Sequence, residues 1–481
     1  MRSFFRRSTA FCLILIHFIY GPSLWKQLDP QQPSSLRKAA PYTTAIPLSK
    51  SCGTSKQIAA SRNVTHTSRY DDMSILASEV ESISHVPSRR QIIITYRGKF
   101  CIKPYVIGRL SGLDVSLVAN WTEFSGNNDN TNPSEDGDGV HQLLGEYNVH
   151  SKGIYYLEII GLLCNSLTWD GEYRNVCLEN PSYMRLTDDS AYIYVDTVDG
   201  SLADAAKDDG YWKWSNSNSH LNTYTPLHTR YQPEGCRETK TELEDRCFFP
   251  TSLDRFLPYQ FSLHPNVTTL IRDKAVSLSK MSPSTTFCFV GLSHAREMAA
   301  AVNLWLQRWN VTSSIKAINL DAQFPRVVNE QFIQNAIIGR KCDKTVIAAG
   351  QWSVGRKPPG SKYAKLPPTL FPEYREEVMN MISTLQKSGI AKNKNIFLRS
   401  IHYNSLGDVK LSCPPQDWRH PAVIDQLNSI ILHLTRSTGM PFIDTSHIIG
   451  PMWDSAVDFC HYKNDSVSSA EALYVLEKLL L

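Results

Sequence analysis

The stretch TFCFVGLSHAREMAAAVNLWLQRW (Thr286–Trp309) carries two periods in succession. Thr286–Val290 is a short apolar run of strand type, ended by Gly291. Beyond it Met298, Val302, Trp305 and Trp309 recur at helical spacing. A strand, a tight turn holding Ser293 and a helix follow one another with no linker. The same rhythm continues to the C-terminus. Thr345–Ala349 reads as the next strand, and Pro372 opens a helix with Tyr374, Val378, Met381 and Leu385 on one face, stopped by Gly389. Ile396–Leu398 is a third strand, and Val423, Leu427, Ile430 and Leu434 mark a second such helix. Phe442–Ile443 is a fourth strand, and Ser468 with Glu471 reads as a capping box before a terminal helix Ala470–Leu480. Strands separated by helices predict an α/β domain, a parallel sheet covered on both faces, over residues 261–481.

Upstream the pattern is all-β. Gln91–Arg97, Asp114–Trp121, Gly145–Val149, Gly153–Leu162 and Ser190–Val195 are rich in Ile, Val, Tyr and Leu. Residues 86–200 are therefore expected to form an immunoglobulin- or filamin-like sandwich. Residues 201–260, with Trp212, Trp214, Tyr224 and Tyr231 among many polar side chains, read as a connector wrapped onto a neighbour. Cys164 with Cys177, and Cys236 with Cys247, could close local loops; spacing alone leaves the pairing open.

The N-terminus holds the one long apolar run, Thr9 to Trp25, preceded by Arg2, Arg6 and Arg7 and followed by Lys26. Residues 1–25 are expected to be a short tail and membrane anchor with its basic end inside, a cleaved signal peptide being the alternative. Residues 26–85, rich in Gln, Pro, Ser, Thr and Lys, read as a stem or linker. The chain has 481 residues, 50 Lys+Arg against 46 Asp+Glu and 42% hydrophobic residues, which excludes wholesale disorder and gives no basic face for nucleic acid. Eleven cysteines, ten of them beyond the apolar run, and five acceptor sequons at Asn63, Asn120, Asn266, Asn310 and Asn464 point to an oxidising, glycosylating compartment. We expect a single-pass type II protein of the Golgi or another secretory membrane, secreted if the N-terminus is cleaved.

Ligands of a parallel sheet bind at the carboxyl ends of its strands. After the first strand comes Ser293, at a helix start that favours developing negative charge. After the last comes Asp458-Phe-Cys-His461-Tyr462. A carboxylate three residues before an imidazole can face the same way on a turn, holding one ring nitrogen while the other meets a nucleophile. Asp136-Gly-Asp138 formally matches a glycosyltransferase metal motif but sits in a polar loop, and no zinc-type spacing or phosphate loop stands out.

Together these blocks resemble the SGNH (GDSL-like) acyl-esterase superfamily, and within it the PC-esterase branch of trichome-birefringence-type polysaccharide O-acetyltransferases. That branch's first block, F-x-G-D-S-H-x-R, is similar to Phe289–Arg296, and its D-x-x-H-Y ending to Asp458, His461 and Tyr462. Arg399–Asn404, Cys413–Pro415 and Asp417–Arg419 also look like this branch. Leu292 stands where the family has aspartate. The resemblance implies a flavodoxin-like three-layer domain with Ser293 as nucleophile, His461 as base and Asp458 orienting it. It implies oxyanion donors at Ser293, Gly291 and, in the role of the family's asparagine, Gln351. His294 and Arg296 are candidate substrate contacts, with a supporting or surface role as the alternative for His294 and pairing with polar groups around the turn as that for Arg296. No metal and no cofactor are implied. The expected partners are a glycan or polysaccharide acceptor and an acyl, most simply acetyl, donor. A catalytically inactive glycan-binding relative is the alternative suggested by Leu292, and an anchored glycosyltransferase is a third reading, motivated by the stem architecture.

Overall fold

The structure, a computed structural model, describes residues 44–46, 72–98, 101, 103–125, 140–163, 169–170, 177–178, 184–188, 190–196, 210–214, 259–263, 265–282, 284–322, 328–348, 351, 364–365, 369–389, 395–402, 420–453, 461–462 and 465–481. All of these fall in the compact unit Thr43–Leu481. The expected anchor over residues 1–25 lies outside them, as do Asn63, Asn464 and the Asp136–Asp138 motif. Among the described residues no helix is long and apolar enough to cross a membrane.

The C-terminal half is built on a five-stranded parallel sheet. Its strands are β1 (Thr285–Val290), β2 (Ile315–Leu320), β3 (Lys344–Ala348), β4 (Ile396–Arg399) and β5 (Phe442–Ile443), in the spatial order β2-β1-β3-β4-β5. This is the flavodoxin-like order, which reverses direction between β1 and β3. Every residue of β1 is buried, as a central strand covered on both faces requires. Phe287 and Phe289 join one core, Cys288 and Val290 the other, because successive side chains leave a strand on opposite faces. Helices α1 (Pro265–Met281), α2 (Ser293–Arg308) and α5 (Asp465–Leu480) pack on the Phe287 face. Helices α3 (Leu370–Lys387) and α4 (Pro421–Thr438) pack on the Cys288 face. The α4 boundaries follow from its ends: the His420 side chain accepts from the Ala422 N–H, Pro421 opens the first turn, and Gly439 closes it with φ 71°. A disulfide joins Cys288 in β1 to Cys342 just before β3. The loops considered for Cys164–Cys177 and Cys236–Cys247 involve residues outside the described ones.

Two local expectations are corrected. The terminal helix begins at Asp465 rather than Ala470, so Ser468 and Glu471 lie inside it and form no capping box. The Ser468 hydroxyl instead donates to the Tyr462 carbonyl at 2.6 Å, and Glu471 is buried against the sheet. Strand β2 and helix α1 were not anticipated. In β2, Lys316 and Asn319 interrupt the apolar run because the strand lies at the sheet's edge.

The N-terminal half is antiparallel. Its strands run in the order Thr44–Ile46, Val80–Val86, Gln91–Tyr96, His141–Tyr147, Asp114–Ser125, Tyr105–Ser111, Gly153–Leu163 and Tyr192–Val195. Among the described residues these make one continuous ladder, not the two separate sheets expected of an immunoglobulin-like sandwich. The ladder wraps a single core that includes Ile83, Ile94, Leu110, Leu157 and Ile193. Val80–Val86 pairs within this sheet although it falls in the span read as linker, since Glu81, Ser82, Ser84 and His85 mask its apolar positions. Tyr211–Trp214, in the span read as connector, pairs with Asp114–Ser125 and with Tyr259–Ser262.

The two halves share a buried seam. Arg109, fully buried, donates to Glu158 at 2.6 Å and to the Pro451 carbonyl at 3.0 Å, and its guanidinium lies 4.5 Å from the Trp453 ring. Trp453 is packed with Ile107, Ile160 and Leu162. The indole N–H of Trp212 donates to the Ile448 carbonyl at 2.9 Å. The antiparallel sheet thus clamps residues 448–453, from which the chain continues toward His461.

Candidate active site

The site begins where β1 ends. Gly291 has φ 150°, and a Cβ placed there would lie 2.9 Å from the Ala295 Cβ and 3.2 Å from the Ala348 carbonyl oxygen. Only glycine permits this turn against the end of β3. Two residues on, Ser293 starts α2, after a Leu292 N-cap that makes no side-chain capping bond. The serine therefore stands at the carboxyl end of β1, beside the reversal of strand order where ligands of such sheets bind.

The Oγ of Ser293 lies 2.8 Å from Nε2 of His461, a hydrogen bond between residues 168 positions apart. Both side chains are part-buried. One helical turn beyond Ser293, an oxygen of Glu297 lies 4.0 Å from the same His461 nitrogen. Asp458, expected to orient His461, lies outside the described residues.

A buried polar chain runs behind this pair. Nδ1 of His294 is 2.9 Å from Nδ1 of His402, and Nε2 of His402 is 2.7 Å from Oε1 of Glu471. Arg399, at the end of β4, donates to the same carboxylate oxygen at 2.8 Å. Burial alone would raise the Glu471 pKa, but the Arg399 guanidinium and the hydrogen bonds from His402 and Thr445 outweigh it and hold it at about 2. Burial lowers the His402 pKa below the usual imidazole range, and the opposing Glu471 charge does not reverse this.

The other expected site residues are placed as follows. The Gly291 N–H donates to the Leu320 carbonyl at 3.1 Å, so it is engaged in the strand–turn junction rather than held for an oxyanion. Gln351 is buried and its amide nitrogen donates one hydrogen bond to the His402 carbonyl at 2.6 Å. Arg296 is exposed and pairs with Asp321 at 3.0 Å. His294 is buried and turned toward His402, while its ring centroid lies 5.1 Å from that of His461. The first-turn N–H groups of α2, Ser293 among them, have no acceptor within the helix.

Sequence reading missed Glu297, His402, Arg399 and Glu471. Glu297 was accessible, being four residues after Ser293 on a helix. Arg399 and His402 were noted only as part of a motif block. Glu471 carried a misleading signal, since a serine three residues ahead imitates a capping box.

No protein-family model matches the chain, and no curated protein does. Among solved structures it is similar to a lipase/acylhydrolase from Enterococcus faecalis, at 13% identity over 41% of this chain and 95% of that one, with TM-score 0.28. It is also similar to an alpha/beta hydrolase enzyme from the metagenome of Lake Arreo, at 14% identity over 42% of this chain and 98% of that one, with TM-score 0.30. A gut microbial diltiazem-metabolizing enzyme matches at 10% identity over 41% of this chain and 47% of that one, with TM-score 0.30. Likenesses at this level do not identify a family. The strand order and the Ser293–His461 contact are what define the domain.

Proposed function

We propose that the chain is a serine-dependent acyl-transfer enzyme of SGNH type. The observation that carries this reading is the 2.8 Å hydrogen bond between Ser293 Oγ and His461 Nε2 at the end of β1. In the proposed reaction Ser293 Oγ attacks the acyl carbonyl carbon while its proton passes to His461 Nε2. The tetrahedral oxyanion is held by N–H groups of the first turn of α2. Its collapse breaks the bond to the leaving alcohol, which takes the proton back from His461 and leaves acyl-Ser293. A sugar hydroxyl or water then attacks that ester, again giving its proton to His461, and Ser293 is regenerated. Asp458 takes the orienting role that its spacing from His461 assigns.

The substrate reading is finer: acetyl transfer to, or removal from, glycan hydroxyls in the secretory pathway, by a protein anchored through residues 1–25. It is supported by the resemblance of Phe289–Arg296 and Asp458–Tyr462 to the PC-esterase blocks. The Cys288–Cys342 disulfide and the exposure of sequon residues Asn120, Asn266 and Asn310 suit an oxidising, glycosylating compartment. The purified chain should hydrolyse an aryl acetate and release acetate from O-acetylated glycans, and Ser293→Ala should lose both. Leu292 favours a second reading, glycan binding without turnover. Glycan binding that survives Ser293→Ala, with no acetate released by folded wild type, would select it.

A further inference from the structure

Glu471, His402 and His294 form a buried chain from α5 to the residue beside Ser293, and nothing in the triad logic requires it. The proton positions along it follow from the chemistry of its members. An ionised carboxylate only accepts, so His402 Nε2 carries the hydrogen in its 2.7 Å contact with Glu471. Burial lowers the His402 pKa and so favours the neutral ring, in which Nδ1 is the acceptor. The 2.9 Å contact between the two Nδ1 atoms then requires that His294 donate from Nδ1. The carboxylate's preference thus sets the tautomer of one imidazole and, through it, the donor nitrogen of the next.

The destination is specific. His294 is bonded to His402 on one side and has its ring centroid 5.1 Å from that of His461 on the other, with the rings 42° apart. The base that meets Ser293 therefore leans on an imidazole whose own orientation is fixed from behind. Arg399 neutralises Glu471 at 2.8 Å, and the Gln351 amide ties the His402 backbone at 2.6 Å, so the chain is braced at both its charged end and its middle.

We propose that Glu471 and His402 are positioning residues that lock His294 against the His461 ring and so hold the imidazole that serves Ser293. The inference rests on the acyl-serine reading above. Among the described residues, the charged and titratable groups around the site imidazoles include Glu297 on α2, Glu471 on α5, Arg399 on β4 and Tyr462, whose ring centroid lies 5.9 Å from that of His402. Of these, the relay connects only Arg399 and Glu471 to His294.

The test is the rate at which the purified full chain is labelled by a fluorophosphonate, followed across the acid-to-neutral range, with thermal unfolding as a fold check. His402→Phe keeps a planar ring and removes both relay hydrogen bonds. It should label roughly tenfold more slowly or worse, a part of the about 10²–10⁴ that a positioned base contributes. Its pH midpoint should also move. His402→Gln, whose amide both donates and accepts, should recover part of the rate. A folded His402→Phe protein with the wild-type rate and midpoint overturns the relay. Should that variant not fold, His294→Phe replaces it, with the same loss expected and the same result overturning the proposal. Wild type that labels while Ser293→Ala does not keeps the acyl-serine reading intact whatever the relay variants do. Folded wild type that does not label removes that reading, and the relay with it.

Discussion

Ser293 and His461 meet at 2.8 Å although 168 residues separate them, because one follows the first strand of a parallel sheet and the other follows its last. The strand order β2-β1-β3-β4-β5 brings both connections to the carboxyl edge. Two features make the meeting possible. Gly291 lets the chain turn directly from β1 into α2, and the antiparallel sheet clamps residues 448–453 before the chain reaches His461.

The turn gives the most local prediction. Gly291→Ala would force a side chain to φ 150° with its Cβ 2.9 Å from the Ala295 Cβ and 3.2 Å from the Ala348 carbonyl. The strained backbone should cost about 1–3 kcal/mol. Ser293 should be displaced with it, so labelling should fall further than the change in denaturation midpoint accounts for. Chemical denaturation beside labelling of the same preparation checks both.

The seam between the halves makes a second prediction. Trp453 is fully buried and stacked beside Arg109. Trp453→Ala should destabilise by about 3–5 kcal/mol. Because this residue ends the clamped segment that leads to His461, activity should be lost at temperatures where the rest of the parallel sheet is still folded. Comparing the thermal inactivation and global unfolding curves of the variant tests this.

His85 provides the pH dependence. It is buried, bonded to the Tyr147 hydroxyl at 2.7 Å, and burial lowers its pKa from 6.5 to about 4, against a weaker opposing pull from Asp196. An imidazole with a depressed folded pKa binds its proton first in the unfolded chain. Its stability is therefore complete above pH 6.5 and lost as the pH falls toward about 4. His85→Phe should flatten the acid limb of the stability curve in that window, and an unchanged slope would reject the assignment.

The Cys288–Cys342 bridge closes 54 residues of chain between β1 and β3. In the chain-entropy picture a loop of this size is worth about 4 kcal/mol. Cys342→Ser should lower the denaturation midpoint accordingly when wild type and variant are compared without reductant.

Much of the parallel sheet was legible because a central strand buried on both faces leaves an unbroken apolar run, as in Phe287–Val290, and its helices repeat every three or four residues. The meeting of Ser293 with His461 was legible because their positions after the first and last strands are fixed by topology. The edge strand Ile315–Leu320 was not, since an edge tolerates Lys316 and Asn319 and loses its pattern. Val80–Val86 was hidden by polar residues between its buried ones. Glu471 was misread because a local rule, the capping box, competes with a tertiary fact: Arg399 and His402 arrive from another strand to hold its carboxylate. The Gly291 N–H and one of the two Gln351 amide N–H groups, both read as oxyanion donors, are bonded to the Leu320 and His402 carbonyls.

The central claim is that Ser293 is a nucleophile activated by His461. Its most direct test is intact-mass measurement of the purified chain after incubation with a fluorophosphonate, followed by peptide mapping. The account predicts one adduct, on the peptide that contains Ser293, absent in Ser293→Ala and formed about 10²–10⁴ times more slowly in His461→Ala. A folded wild-type chain that forms no adduct, or forms it on another serine, would contradict it.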